Sequence, residues 1–298
     1  MGSRVQVVSI SSLKGGVGKT SVTLGLASAA LAAGIPTLVI DLDPHADATT
    51  GLGVRADAQL DIGRMLKNPR KANLAGQVAP SGWIENAIAR AASTSPTAAV
   101  GRRSQRTHQG DSHPVLDVAV GSAYAGIFDR PDLGKRDLRR LSAVLAGLDR
   151  RERVLGDKPD YELVLIDCPP SLNGLTRIAW TASNKVLLVA EPGLFSVAGT
   201  ERTLRAIDLF RNEFTPGLSA AGIVANRVRQ SSAEHQYRLD EMATMFGSLL
   251  LSPTMEEQTN WQQIQGAARS VHQWPGEAAK NAAAGFDELL QQILGATR

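Results

Sequence analysis

A glycine-rich stretch near the start, Lys14-Gly15-Gly16-Val17-Gly18-Lys19-Thr20-Ser21, limits what this chain can fold into more than any other feature. It follows an apolar run at residues 5–10 and opens a helical pattern over residues 20–33. A strand, a glycine loop and a helix in that order make a phosphate cradle. The glycines let the backbone curl until its N–H groups converge, and the helix N-terminus adds partial positive charge. Lys19 can reach the β and γ phosphates of a nucleotide, and the Thr20 hydroxyl can sit on Mg²⁺. The strict phosphate-loop spacing asks for glycine five residues before Gly18, where this chain has Leu13. In its place comes a second lysine, Lys14, directly before the paired glycines.

Beyond the loop, apolar runs at 37–41, 115–120, 161–167, 185–190 and 220–226 alternate with helical patterns near 137–148, 199–214 and 234–246. Continuous apolar strands separated by helices predict an α/β fold, a mostly parallel twisted sheet with helices on both faces. The 298 residues allow one large domain or two small ones; we read a single domain over 1–298. In such sheets ligands bind beyond the carboxyl ends of the strands. Asp41 and Asp43 end the second run, Asp167 ends the Tyr161-to-Asp167 run before Pro169 and Pro170, and Asn226 ends Gly222-Ile223-Val224-Ala225. Carboxylates at alternate positions point opposite ways if a strand continues, so one can face Mg²⁺ and phosphate while the other braces the turn. An acid after an apolar strand suits Mg²⁺ binding, and an amide suits the N6 and N7 edge of adenine.

The formal charge of +3 is local. Residues 89–114 hold Arg90, Arg102, Arg103 and Arg106 against Asp111, which leaves the rest of the chain formally neutral. That segment lacks apolar periodicity and is rich in Ser, Thr, Ala and Gln, so it is expected to be a flexible insertion. The single cysteine, Cys168, excludes a disulfide framework and fits a reducing compartment. No run has the length to cross a bilayer, the N-terminus lacks a signal-peptide profile, and Gln6 occupies the Ser/Thr position a myristoylation motif needs. A soluble, cytoplasmic protein is expected.

Strand, KGGVGKT and helix together resemble the deviant phosphate loop of the ParA/MinD family of ATPases. DLDPHADATTGLG is similar to that family's first switch segment, and IDCPPS to its Walker B strand and second switch. The likeness runs from residue 5 to about 294, the insertion excepted. It implies a P-loop NTPase fold of the deviant Walker A type, with ATP and Mg²⁺ as cofactors. Lys14 then reaches across a nucleotide-sandwich homodimer to the partner's phosphates. Gly15, Gly16, Val17, Gly18, Lys19, Thr20 and Ser21 hold the nucleotide, and Asn226 contacts its base. Asp43 helps position the attacking water, Asp41 takes a metal-side or bracing role, and Asp167 binds the metal's water shell. Where the family usually has Gln, this chain has His45, a departure that bears on hydrolysis rate and its pH dependence. No Asn/Thr-Lys-x-Asp guanine signature occurs, which favours ATP over GTP.

The same resemblance directs Arg202, Arg205, Arg227, Arg229 and Arg238 toward nonspecific double-stranded DNA, through phosphate contacts that salt weakens. MinD relatives hold membrane through a basic amphipathic C-terminal helix. Here Phe286, Leu289, Leu290, Ile293 and Leu294 form the apolar face, but Asp287 and Glu288 stand beside it, which argues for a packing helix. The stretch from Trp261 to Trp274 is expected to cover the nucleotide's base. The resulting expectation is a ParA-like ATP hydrolase of weak basal activity, associated with the nucleoid. It would dimerise on ATP, bind DNA, and release it when a ParB-like or other activating partner stimulates hydrolysis, so as to segregate or position DNA or a protein cargo. A MinD-like membrane-cycling regulator and an ATP-gated scaffold with negligible hydrolysis are the alternatives.

Overall fold

The computed structural model describes residues 5–55, 57, 59–84, 115–151 and 161–295. The expected insertion at 89–114 lies outside the described residues. Seven strands form one sheet: β1 (Gln6–Ser11), β2 (Thr37–Asp41), β3 (Ala79–Pro80), β4 (Leu116–Ala119), β5 (Leu163–Asp167), β6 (Lys185–Ala190) and β7 (Ser219–Ala225). Their order across the sheet is β3-β4-β2-β5-β1-β6-β7. Every pairing is parallel except β3 with β4. β1 is therefore interior, with β5 and β6 on its flanks, and the loop that follows it emerges at the middle of the sheet's carboxyl edge.

Alternation along the strands divides the core in two. Leu38, Ile40, Val164, Ile166 and Leu188 face a cluster that includes Leu141, Ile178, Trp180, Ile207 and Phe210 from helices 140–151, Gly174–Ala182 and Leu194–Glu213. Val39, Leu163, Leu165, Leu187 and Val189 face the other way, onto α1 (Lys19–Ala32) and the helix Glu277–Gly295. Each fully buried side chain of this size contributes about 1.5–3 kcal/mol. Strands wet on neither face read as unbroken apolar runs, which is why they were visible in the sequence.

The observed elements match the predicted ones within a few residues, with instructive departures. The 137–148 pattern is two helices, Lys135–Leu138 and Arg140–Arg151. The helix expected from residue 199 starts at Leu194, because Gly199 lies inside the helix and Gly193 caps it in an extended conformation. Three short helices were not anticipated: α2 (Asp47–Gly51), α3 (Ile62–Lys67) and Gly174–Ala182. For α3, Asp61 supplies the cap by accepting the Gly63 N–H, a signal of the ordinary N-cap kind. Among the described residues no helix is long and apolar enough to cross a membrane.

Candidate functional site

The loop from Ser12 to Gly18 connects the centre of the sheet to α1. Gly18 takes a left-handed conformation (φ 90°), and a Cβ there would lie 2.4 Å from the Asn226 side-chain nitrogen, so only glycine fits. No side chain caps α1 among the described residues, and its first turn holds no acid. The first N–H groups of a helix lack intrahelical partners, and a phosphate can take that place. Val17, within the same loop, is fully buried.

The two lysines of the loop differ in environment. Lys19 is buried, its Nζ donating to Ser12 Oγ at 3.3 Å, and desolvation lowers its pKa against the opposing pull of Asp167. Ser12 in turn donates to the Lys14 carbonyl at 2.7 Å, which fixes the loop's start. Lys14 has a side chain 51% exposed and meets Glu191, just past β6, at 3.6 Å. Beside that pair, at the start of the Leu194–Glu213 helix, Leu194 and Phe195 are exposed apolar residues, the latter 79% accessible.

Asp167 and Asp41 are register neighbours on β5 and β2, so their side chains leave the sheet on the same side. Both are fully buried. Asp167 accepts from Thr20 and Thr23 hydroxyls, each at 2.8 Å. Asp41 Oδ2 accepts from the Thr49 N–H at 2.8 Å and the Thr49 hydroxyl at 2.7 Å, whereas Asp41 Oδ1 is buried with no hydrogen-bond partner among the described residues. Burial pushes both carboxyls up, Asp41 to about 8, with the Asp167 charge adding to the effect. β2 ends at Asp41, so the alternation considered for Asp41 and Asp43 stops there. Asp43 sits in the following turn, close enough to raise the pKa of Lys19, Asp41 and Asp167. It accepts from His45 twice, through the backbone N–H at 3.0 Å and ring Nδ1 at 2.8 Å.

A cavity of about 500 Å³ opens beside the loop, lined by Gly16, Gly18, Ser21, Asn226, Trp261 and Phe286 among others. Asn226 is buried and donates to the Val17 carbonyl at 2.8 Å, which leaves its second amide hydrogen and its oxygen for a ligand. The short helix Trp261–Gly266 borders the cavity, with Trp261 5.8 Å from the Phe286 ring and Gln265 donating to Ser21 at 3.0 Å. An orphaned carboxylate oxygen on Asp41, a second buried carboxylate on Asp167 and the Thr20 hydroxyl fit a hydrated Mg²⁺ next to the cradle. Cys168 is buried, its thiol pushed up to about 12 by burial, and is not poised as a nucleophile.

Each of the five arginines already has a partner within the chain. Arg227, in a left-handed conformation (φ 57°), donates to the Gly16 carbonyl at 2.8 Å and pairs with Glu257, which also holds Arg229 at 2.6 Å. Arg205 pairs with Glu201, and Arg238 is held between Glu234 and Glu241. Arg202, exposed, donates to the Ala198 carbonyl at 3.3 Å. Sequence reasoning missed Thr23, Ser12, Thr49 and Glu191. Thr23 alone left a signal, since it follows Thr20 by three residues on one helix face.

Residues 8–264 match the family described as the CobQ/CobB/MinD/ParA nucleotide binding domain. The chromosome partitioning protein ParA of Caulobacter vibrioides is 29% identical over 251 residues, covering 80% of this chain and 76% of its own length. A complex of a McdA variant with ATP from Cyanothece superposes with a TM-score of 0.71 at 17% identity, covering 99% of this chain and 98% of that one. Cobyrinic acid a,c-diamide synthase from Mycobacterium smegmatis, with bound ATP analogue and magnesium, superposes with a TM-score of 0.69 at 20% identity over 99% and 98% of the two chains. At these identities the two structural likenesses establish the fold.

Proposed function

Because the chain belongs to the CobQ/CobB/MinD/ParA nucleotide-binding domain family, we propose that it is a ParA-like ATPase whose ATP-bound homodimer binds nonspecific DNA and whose hydrolysis releases it. The observation that carries the reading is the split between the two loop lysines. Lys19 is buried where it serves its own nucleotide, and Lys14 is half exposed, held only by an exposed ion pair with Glu191 and so available to a second copy. Leu194 and Phe195 beside it offer apolar surface for that copy.

Thr20 and Asp167 would hold Mg²⁺, with Asp41 accepting from its water shell. When bound, the ion neutralises charge between the β and γ phosphates. The loop N–H groups and Lys19 bind phosphate oxygens and stabilise the charge that builds on them. Asp43 orients a water for attack on the γ phosphorus, and Asn226 with Trp261 selects and covers the base.

DNA binding would draw on Arg202 and Arg205, on the exposed side of the Leu194–Glu213 helix, with Arg227 lining the cavity, Arg229 sharing Glu257 with it, and Arg238 on the helix Ala233–Phe246. Four of the five already meet glutamates, so release of those glutamates is part of the cost of binding. A ParB-like or other activating partner, a nucleoid location and a DNA or protein cargo complete the proposal. One observation supports a scaffold with negligible turnover: His45 donates twice to Asp43 Oδ1, through its backbone N–H and its ring. The apolar face of the Glu277–Gly295 helix is buried against α1, which leaves a membrane-cycling role without a free helix face there.

The test is ATP-dependent binding to nonspecific duplex DNA at two salt concentrations, for wild type and Lys14→Ala. Salt-sensitive binding that needs ATP and disappears in the variant is expected. A dimer that forms on ATP yet ignores DNA at low salt sinks the DNA reading. A DNA-binding dimer without turnover favours the scaffold.

A further inference from the structure

Thr49, within the DLDPHADATTGLG segment, has been given no role in the site so far beyond its bonds to Asp41. It is buried on α2 and uses every hydrogen-bonding group of its side chain. Its hydroxyl donates to Asp41 Oδ2 at 2.7 Å and accepts the Gly121 N–H at 2.9 Å, while its own N–H donates to the same carboxylate oxygen at 2.8 Å. Gly121, just past β4, closes the other side: a Cβ there would lie 2.7 Å from the Asp41 carboxyl carbon. The carboxylate is thus clamped by one oxygen and wedged against backbone, and its second oxygen, buried and without a partner among the described residues, has one fixed place.

We infer that Thr49 is a positioning residue for the magnesium centre. It acts through Asp41, holding the bare Oδ1 in the buried space that Asp41 shares with Asp167 so that it accepts from a water of the hydrated cation. The inference rests on the nucleotide-and-Mg²⁺ reading of the site. The physical reason is that a carboxylate left to rotate would satisfy both oxygens on neighbouring donors and present neither. Thr49 also ties α2 to the metal side of the sheet. The turn that carries Asp43 and His45 runs from Asp41 into α2 through left-handed Ala46 (φ 58°), so both ends of that turn hang on one hydrogen-bonded unit. Groups that orient a metal's ligands commonly change metal affinity by about 10–100-fold when removed.

The experiment compares full-length wild type, Thr49→Val and Thr49→Ser for binding of a fluorescent ATP analogue across a Mg²⁺ titration and in EDTA, with urea unfolding of each. Thr49→Val is expected to raise the Mg²⁺ concentration at half-saturation by about tenfold or more, with analogue binding in EDTA unchanged and Thr49→Ser close to wild type. A folded Thr49→Val with the wild-type Mg²⁺ dependence overturns the inference, and so does an equal loss of binding in EDTA and in Mg²⁺, which marks a structural role only. Should Thr49→Val fail to fold, Thr49→Cys keeps the size, weakens the hydrogen bond and is read the same way. Wild-type binding that ignores Mg²⁺ altogether overturns this inference and the magnesium part of the reading it rests on, whereas a wild type that binds no analogue at all overturns the nucleotide reading itself.

Discussion

Replacing Asp41 by asparagine is expected to stabilise the nucleotide-free protein while impairing its Mg²⁺ response. Asp41 is a fully buried carboxyl beside a second buried carboxyl, Asp167, and its pKa rises from 3.8 to about 8, burial first and the neighbouring charge second. A folded-state pKa above the unfolded one means that the folded protein binds the proton more tightly. The stability this gives is complete below the ordinary carboxylate pKa of 3.8 and is lost as pH rises toward 8. At about 1.4 kcal/mol per pH unit, the roughly three units between 3.8 and neutrality amount to about 4 kcal/mol forfeited at pH 7. That agrees with the roughly 3–5 kcal/mol that an uncompensated buried charge costs. Asparagine can accept the two Thr49 bonds through its oxygen and carries no charge to desolvate. Urea unfolding in EDTA should therefore show Asp41→Asn more stable than wild type by about 2–4 kcal/mol at pH 8, with the difference shrinking toward pH 4.5. A variant no more stable than wild type at pH 8 refutes the argument, because it would mean that Asp41 is not carrying a desolvation penalty.

Three further outcomes follow from particular contacts. His45 has its pKa raised by the Asp43 hydrogen bond and charge, so the ion pair is complete below the ordinary imidazole value of 6.5 and is lost as pH passes the raised value; ATP turnover should climb as pH rises above 6.5 and Asp43 is released, and His45→Gln should flatten that rise. Glu191→Gln frees Lys14 from an exposed ion pair worth about 0–1 kcal/mol, so ATP-dependent dimerisation measured by sedimentation should tighten by a few-fold at most, and a weakened dimer would contradict a restraining role for Glu191. Phe286, buried against Trp261 and lining the cavity, should cost about 3–5 kcal/mol in urea unfolding when cut to alanine and should weaken nucleotide binding; an unchanged affinity would place the base elsewhere.

What could be read from the sequence was what the chain writes contiguously. The phosphate loop is eight successive residues whose geometry depends on glycines at fixed offsets, and the two buried acids each end an apolar run, so strand and site announced themselves together. Thr49 and Gly121 are different. Their roles exist only because β2, β4 and α2 converge, and nothing in ATTGLG or AVGSAY sets one threonine or glycine apart. Glu191 was hidden for the same reason, since it meets Lys14 across 177 positions of chain. The Gly174–Ala182 helix went unread because it follows Pro169 and Pro170, which draw attention to a turn, and because its buried face is completed by residues of another helix. The arginines were legible as residues and illegible as a surface: which glutamate each would meet is decided by packing alone.

The cavity joins parts of the chain that are made far apart in time. Its floor is laid down by Gly16 to Ser21, and its wall by Trp261 and Phe286. At about 5–20 residues per second, a ribosome needs on the order of 15–50 s to travel from Ser21 to Phe286. Throughout that interval a nascent chain has a phosphate loop but no cavity wall, and α1 lacks the helix that covers it. The cavity is thus complete only once synthesis has passed Phe286, so an unfinished copy carries the phosphate loop without the wall that Trp261 and Phe286 supply.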